Sequence, residues 1–314
     1  MRSKIISDIK SMIQFLSVQS GGQYSMPNIL VTGATGLIGS SLLKPLANVF
    51  KVHAISRSKA NDKIANVTWH HVDLNDDFDF KTLPANIEAV IYLAQSEDYR
   101  DFPKKAVDIF EINTVKLLKM LDYAREVGAK KFIYASSGGV YGSGEHSFSE
   151  EITLPANGEN GFYISSKLCS EVIADNYKQF MDVVILRLFF VYGKMQKPTM
   201  LMPRLVANVK NGNPINLCGN SGILLNPIHV LDAVSSVLAA LELKGFHKIN
   251  VAGPEVVSLK QICEMIGEKV RVKPIFEYDL QSLPRHLVAD ISNMTRLLVT
   301  PRRFLNEGLD EIIN

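Results

Sequence analysis

Cysteine is scarce in this chain and does not cluster: Cys169, Cys218 and Cys263 are the only three. Their spacing offers no zinc site, so no metal is expected. An odd, scattered set is not a disulfide framework and points to a reducing compartment, the cytoplasm. No apolar run approaches the roughly 20 residues that span a bilayer. An excess of one charge is also missing, since 34 Lys and Arg stand against 32 Asp and Glu, a net +2. Without a basic stripe, nucleic acid is not an expected partner. Internal repeats and low-complexity tracts are absent too. What is present is 314 residues of 46% apolar composition, enough for one large α/β unit or two small domains.

Asn28 to Thr32 reads as a short buried strand, and the apolar residues of 37–46 recur at helical spacing. Between them lie Gly33, Gly36 and Gly39. In a strand–turn–helix context these glycines have separate tasks: a tight turn, close approach of the backbone to a pyrophosphate, and close packing of helix on sheet. The helix N-terminus then offers free N–H groups to the anion. Further along, Tyr163 and Lys167 are four residues apart, on one face of a helix. A tyrosine of pKa about 10 is a poor base, but a neighbouring ammonium and a cationic nicotinamide would draw it toward about 7, for about 4 kcal/mol of differential stabilisation.

The loop Thr32-Gly33-Ala34-Thr35-Gly36-Leu37-Ile38-Gly39 resembles the cofactor loop of the short-chain dehydrogenase/reductase family. Ser136-Ser137-Gly138-Gly139-Val140-Tyr141-Gly142 resembles a recurring stretch of its extended branch. The resemblance covers residues 27–314. It implies a doubly wound parallel sheet of the Rossmann type with a smaller, mainly helical C-terminal substrate lobe. It also implies Tyr163 as general acid/base, Lys167 as its tuner and a ribose ligand, and Ser137 as the group that holds the substrate oxygen. Gly33, Thr35, Gly36, Leu37, Ile38 and Gly39 would carry the cofactor. Asp73 and Leu74 resemble the adenine contact, and Leu93-Ala94-Gln95 matches the family's Leu-Ala-Ala segment with Gln95 in place of the second Ala. An NAD-selective site would place an acid at the end of the second strand to hold the ribose hydroxyl. Here Ser56 and Arg57 stand there, and a guanidinium suits a 2′-phosphate. NADP(H) is therefore favoured, with NAD(H) possible.

Residues 1–25 form an N-terminal extension with a weakly basic amphipathic pattern, 26–190 read as the dinucleotide-binding domain, and 191–314 as mainly the substrate lobe with a return to the sheet near 223–250. Helices are expected over 112–127, with Ile112, Val115, Leu118, Leu121 and Ala124 on its apolar stripe, and over 163–178. The family pairs two such helices in a four-helix interface, so a homodimer is expected. Cys169 reads as a small core residue. Extended members mostly act on nucleotide-linked sugars. The dehydratases carry Asp-Glu after the catalytic hydroxyl, where this chain has Gly138-Gly139, so dehydration is not expected. Phe190 replaces an Asn, and Leu225 an Arg, that help many relatives hold the nucleotide phosphates. Arg204 and Arg285 could supply that charge, and Gly138 and Phe190 would line the substrate. These departures favour NADP(H)-dependent reduction of a 4-keto sugar. The alternatives are a nucleotide-sugar 4-epimerase with bound NAD(P) and a non-catalytic cofactor-binding protein.

Overall fold

The computed structural model describes residues 26–57, 63–155, 158 and 160–313. The amphipathic 1–25 segment lies outside them. The chain divides into two compact units. The first comprises the residues up to Ser136 together with Gly161–Leu186 and Val237–Lys248. The second comprises Ser137–Asn160, Arg187–Ser236 and the residues from Ile249 onward.

The sheet of the first unit starts with β1 (Asn28–Thr32), β2 (Lys51–Ser56), β3 (Val67–His71), β4 (Ile87–Tyr92), β5 (Lys131–Ser137) and β6 (Asp182–Leu188). A returning strand, Phe246–Val251, completes the seven. Their order is Phe246–Val251, β6, β5, β4, β1, β2, β3. β1 pairs in parallel with both β4 and β2. The chain therefore changes winding direction beside β1, the switch point where such sheets open a crevice at their carboxyl ends. Strands buried on both faces must be apolar throughout. Leu30, Val90, Phe132 and Val183 accordingly have no exposed surface and belong to one core cluster.

The expected 112–127 helix is broken. Ala106–Phe110 is α-helical, Glu111–Val115 is a π-helical turn, and Lys116–Glu126 is α-helical again. A π-turn holds an extra residue and rotates everything after it. The buried stripe is thus Leu117, Met120, Leu121 and Ala124, while Leu118 is 41% exposed. Cys169 is also corrected: it is exposed, and Cys263 is the buried cysteine.

A polar chain crosses the edge of this sheet. Asn28 Nδ2 donates to Asn86 O at 3.1 Å, and Asn28 Oδ1 lies 3.3 Å from His53 Nε2. His53 Nδ1 lies 3.0 Å from His70 Nε2. With Asn28 Oδ1 as acceptor, His53 donates from Nε2 and accepts at Nδ1 from His70. A second proton on His53 would point at that donor. Burial first, then His70 and Lys51, hold His53 below the usual imidazole range, and burial and His71 do the same for His70. Folded-state values below the unfolded value of 6.5 mean that this stability is complete above that pH and is lost as pH falls below it. The melting temperature should drop between pH 7.5 and 5.5, and His70→Gln should make that drop smaller. An equal drop in His70→Gln would remove this pair as the cause.

In the second unit, helices Leu201–Lys210, Leu259–Val270 and Leu305–Ile313 share a core that includes Tyr192, Leu217 and Leu225. Ser258 and Gln261 form a reciprocal cap at the start of Leu259–Val270. Arg187 is buried and donates to Tyr141 Oη at 2.7 Å, and Tyr141 donates to Asn250 Oδ1 at 2.9 Å. This arginine is a structural strut with its charge spread over a hydrogen-bond network.

Candidate active site

Thr32 ends β1, and its Oγ1 accepts from Leu93 N and Ala94 N, each at 3.1 Å. The first glycine turns immediately afterwards. Gly33 has φ +64°, and a Cβ there would lie 2.9 Å from Ala94 N. Gly36 N donates to Gly33 O at 3.0 Å and closes the loop. A Cβ on Gly39 would overlap Gly33 O and lie 2.8 Å from Ala34 Cα. Leu37–Ala47 begins with Gly36 as its N-cap and no capping side chain. Thr35 and Gly36 are exposed, with Leu37 and Ile38 half-buried behind them. A close backbone cradle at an uncapped helix start fits a dinucleotide pyrophosphate.

At the next strand end Ser56 is buried, and its carbonyl accepts from Val72 N at 3.1 Å. Arg57 is not free-standing: its Nη2 lies 2.7 Å from Glu97 Oε2, with both side chains 48% exposed. The hydrogen bond to Glu97 raises the guanidinium pKa further. β1 lies between β2 and β4, so this ion pair links the ends of β2 and β4 across it. Asp73 Oδ1 accepts from Asn75 N at 2.9 Å and shapes the turn after β3, where Leu74 is buried.

Tyr163 and Lys167 lie on the helix Phe162–Asn176. Lys167 Nζ is buried, donates to Ala135 O of β5 at 2.9 Å, and sits 5.9 Å from the Tyr163 ring centroid. Burial draws its pKa down to about 7, with Glu171 opposing. The Tyr163 hydroxyl donates to Gln95 Oε1 at 2.9 Å, and its ring packs 5.2 Å from that of Tyr99. Burial, then Tyr99, pushes this phenol above its ordinary value. Desolvation disfavours charge on both groups, and the cationic nicotinamide expected to draw the phenol down acts only when the cofactor is bound.

Ser137 ends β5, and its Oγ accepts from Gly139 N at 3.1 Å. Gly138 lies flat against Phe189, whose ring carbons would be 2.5 Å from a Cβ. Phe190 has φ +44°. That left-handed conformation suits Asn and strains a bulky residue. Arg204 and Arg285 are both exposed, and Leu225 is fully buried in the core of the second unit.

Three supporting residues were missed in the sequence. Asn113, in the π-turn, accepts from Ser96 N and donates to Ser166 Oγ, both at 2.9 Å. It thereby fixes the Tyr163 helix to the segment after β4. Its signal was an Asn inside an apolar helical stripe. Ser136 and Glu171 are both buried, and Ser136 Oγ donates to Glu171 Oε1 at 2.5 Å. The spacing of Glu171, four residues beyond Lys167, was its signal.

Sheet, cradle and tyrosine–lysine helix define an enzyme that works on a dinucleotide cofactor. A family model described as the NAD dependent epimerase/dehydratase family matches residues 29–252, and the chain belongs to that family. A dTDP-4-dehydro-6-deoxy-D-allose reductase of Streptomyces sp is 25% identical, covering 90% of this chain and 94% of the relative. A UDP-glucuronate 4-epimerase of Thermodesulfobacterium geofontis is 26% identical over 91% of this chain and 94% of its own. The solved UDP-glucuronic acid 4-epimerase of Bacillus cereus, in complex with UDP-glucuronic acid and NAD, superposes with a TM-score of 0.80 at 25% identity. That match covers 91% of this chain and 98% of the other.

Proposed function

We propose that this protein is an NADP(H)-dependent reductase of a 4-keto nucleotide sugar. The observation that carries the reading is the pairing of Tyr163 with buried Lys167 on one helix, the Lys167 Nζ 5.9 Å from the phenol ring. A nicotinamide cofactor held in this site would supply the hydride for the sugar carbonyl carbon. Gly33, Gly36, Gly39 and the N-terminus of Leu37–Ala47 would hold the pyrophosphate, with Asp73 and Leu74 at the adenine and Lys167 at the ribose. As the carbonyl oxygen gains negative charge, Tyr163 gives it a proton. Ser137 donates a hydrogen bond to the same oxygen. Lys167, ionising near neutrality, stabilises the phenolate until solvent restores its proton. Incubation with NADPH and a panel of 4-keto nucleotide sugars tests the reading: absorbance loss at the reduced nicotinamide band is expected with at least one of them. No oxidation with any, alongside interconversion of a 4-hydroxy sugar without net cofactor use, would replace the reductase by the second reading, a 4-epimerase with retained NAD(P). The NAD named in the Bacillus cereus structure favours that alternative.

The cofactor preference rests on Arg57, with no acid at the end of β2. Glu97 must yield that guanidinium to a 2′-phosphate. The exposed pair is worth only about 0–1 kcal/mol, less than a bidentate phosphate contact. Arg57→Glu should weaken NADPH binding at least tenfold and leave NADH nearly unchanged. Equal or tighter binding of NADH by the unsubstituted protein would end this proposal.

A homodimer is part of the same reading. Val107, Leu118 and Val172 are 79%, 41% and 58% exposed on the helices Ala106–Phe110, Lys116–Glu126 and Phe162–Asn176, an apolar surface that a second copy would cover. Light scattering should give twice the chain mass of 34.9 kDa, and a monomer at every concentration would refute it. Among the described residues no helix is long and apolar enough to cross a membrane.

A further inference from the structure

We propose that Gln95 is a positioning residue for reduction, whose side-chain oxygen takes a hydrogen bond from Tyr163 and so keeps the phenol a proton donor. The inference rests on the reductase reading and names what this chain adds to it. The family resemblance puts an alanine at this place, which offers the phenol nothing. Gln95 Oε1 lies 2.9 Å from the Tyr163 hydroxyl. Its backbone is held on both sides: Ala94 N donates to Thr32 Oγ1 at 3.1 Å, and Ser96 N donates to buried Asn113 Oδ1 at 2.9 Å. Beyond it, Glu97 is paired with Arg57, the Tyr99 ring packs on Tyr163, and Phe102 stacks on Phe162 at 5.0 Å. The segment is thus fastened along the start of the tyrosine helix, which brings the Gln95 amide within hydrogen-bond distance of the phenol.

The direction of the hydrogen bond matters. An acceptor stabilises the neutral phenol and opposes ionisation, whereas a donor would favour the phenolate. The other groups bearing on Tyr163 are Tyr99 from the same segment, Tyr134 from β5 and Lys167 on its own helix. Burial and Tyr99 favour the neutral phenol. The lysine ammonium opposes them, and burial leaves that ammonium only partly populated near neutrality. Reduction begins with an acid in place. Oxidation of a hydroxyl, the first half of epimerisation, begins with a base. An acceptor at position 95 therefore biases the same helix toward proton donation.

The test is a phenolate absorbance titration of the protein saturated with NADP+, whose positive ring brings the phenol into an accessible range. Each variant is read as the difference from its own Tyr163→Phe counterpart, which isolates one tyrosine among ten. Gln95→Ala should lower the midpoint by about half a unit to one unit, the worth of one neutral hydrogen bond. Gln95→Glu keeps an acceptor and adds negative charge, so it should raise the midpoint. If Gln95→Ala does not fold, as judged by cofactor binding, the midpoint of Gln95→Glu decides alone. An unchanged midpoint, a rise in Gln95→Ala or a fall in Gln95→Glu overturns the proposal. The alkaline limb of the reduction rate should move with the midpoint, which a merely structural role would not produce. No sugar enters the titration, so expected shifts in a protein that reduces no keto sugar would refute only the substrate reading. Normal reduction without the shifts would refute only the role of Gln95.

Discussion

Tyr163→Phe should lower the reduction rate by roughly two to four powers of ten, the usual worth of a positioned acid. The substitution removes one oxygen and keeps the ring that packs 5.2 Å from Tyr99 and 5.9 Å from Lys167 Nζ. Among the described residues the hydroxyl makes a single hydrogen bond, to an exposed glutamine, so folding stability should change by no more than about 1 kcal/mol. Cofactor affinity should also hold, because the pyrophosphate cradle lies at Gly33 to Gly39 and not on this ring. Lys167→Ala is the instructive contrast. It deletes a buried side chain bonded to Ala135 O, and the group proposed to hold the ribose. It should therefore damage rate, affinity and stability together. Turnover and the cofactor dissociation constant, measured on both variants, check the assignment. Turnover by Tyr163→Phe within a few fold of normal would remove the tyrosine from the chemistry.

Much of this arrangement was legible because it is written locally. Three glycines between an apolar strand and an apolar helix specify a turn that excludes a side chain at Gly33 and Gly39, and Tyr163 and Lys167 share a face through helical periodicity alone. The central strands β1, β4, β5 and β6, largely buried, announce themselves as mainly apolar runs. What could not be read depends on contacts between distant segments. The π-turn at Glu111–Val115 has no distinctive residue pattern, yet it rotates the following helix and places Asn113 where it binds Ser96 and Ser166. Gln95 looked like a tolerated departure from the family pattern; only the fold reveals that it meets Tyr163, 68 positions away. The Glu97 partner of Arg57 was hidden because it lies 40 residues further on, beyond a strand that is not adjacent to β2. The burial of Tyr163 and Lys167 was hidden for a related reason: sequence shows the neighbouring cation but not the desolvation that weakens it.

The glycine loop allows the second large effect to be separated into two kinds. Gly39→Ala should destabilise the protein, by about 1–3 kcal/mol or more, and weaken cofactor binding along with it. Its Cβ would overlap Gly33 O and approach Ala34 Cα and C at 2.8 and 2.9 Å. Those atoms are backbone, held in turn by the bond from Gly36 N to Gly33 O and by that from Ala34 N to Ile55 O, so relief requires moving the loop off the sheet. Gly36→Ala meets a different situation. Gly36 has φ −71°, open to any residue, and its Cβ would meet only Gly33 O, at 3.2 Å. The folded chain can accept that methyl with little loss. It would stand at the exposed N-cap of Leu37–Ala47, where a pyrophosphate must come against the backbone. Gly36→Ala should therefore unfold within about 1 kcal/mol of the unsubstituted protein but bind NADP(H) at least tenfold more weakly, since displacement of a phosphate from its N–H donors forfeits charge-assisted hydrogen bonds. Denaturant titration and cofactor binding, measured side by side, separate the two. If Gly36→Ala binds the cofactor normally, the pyrophosphate does not lie on this turn, and the cradle assignment fails even though the fold stands.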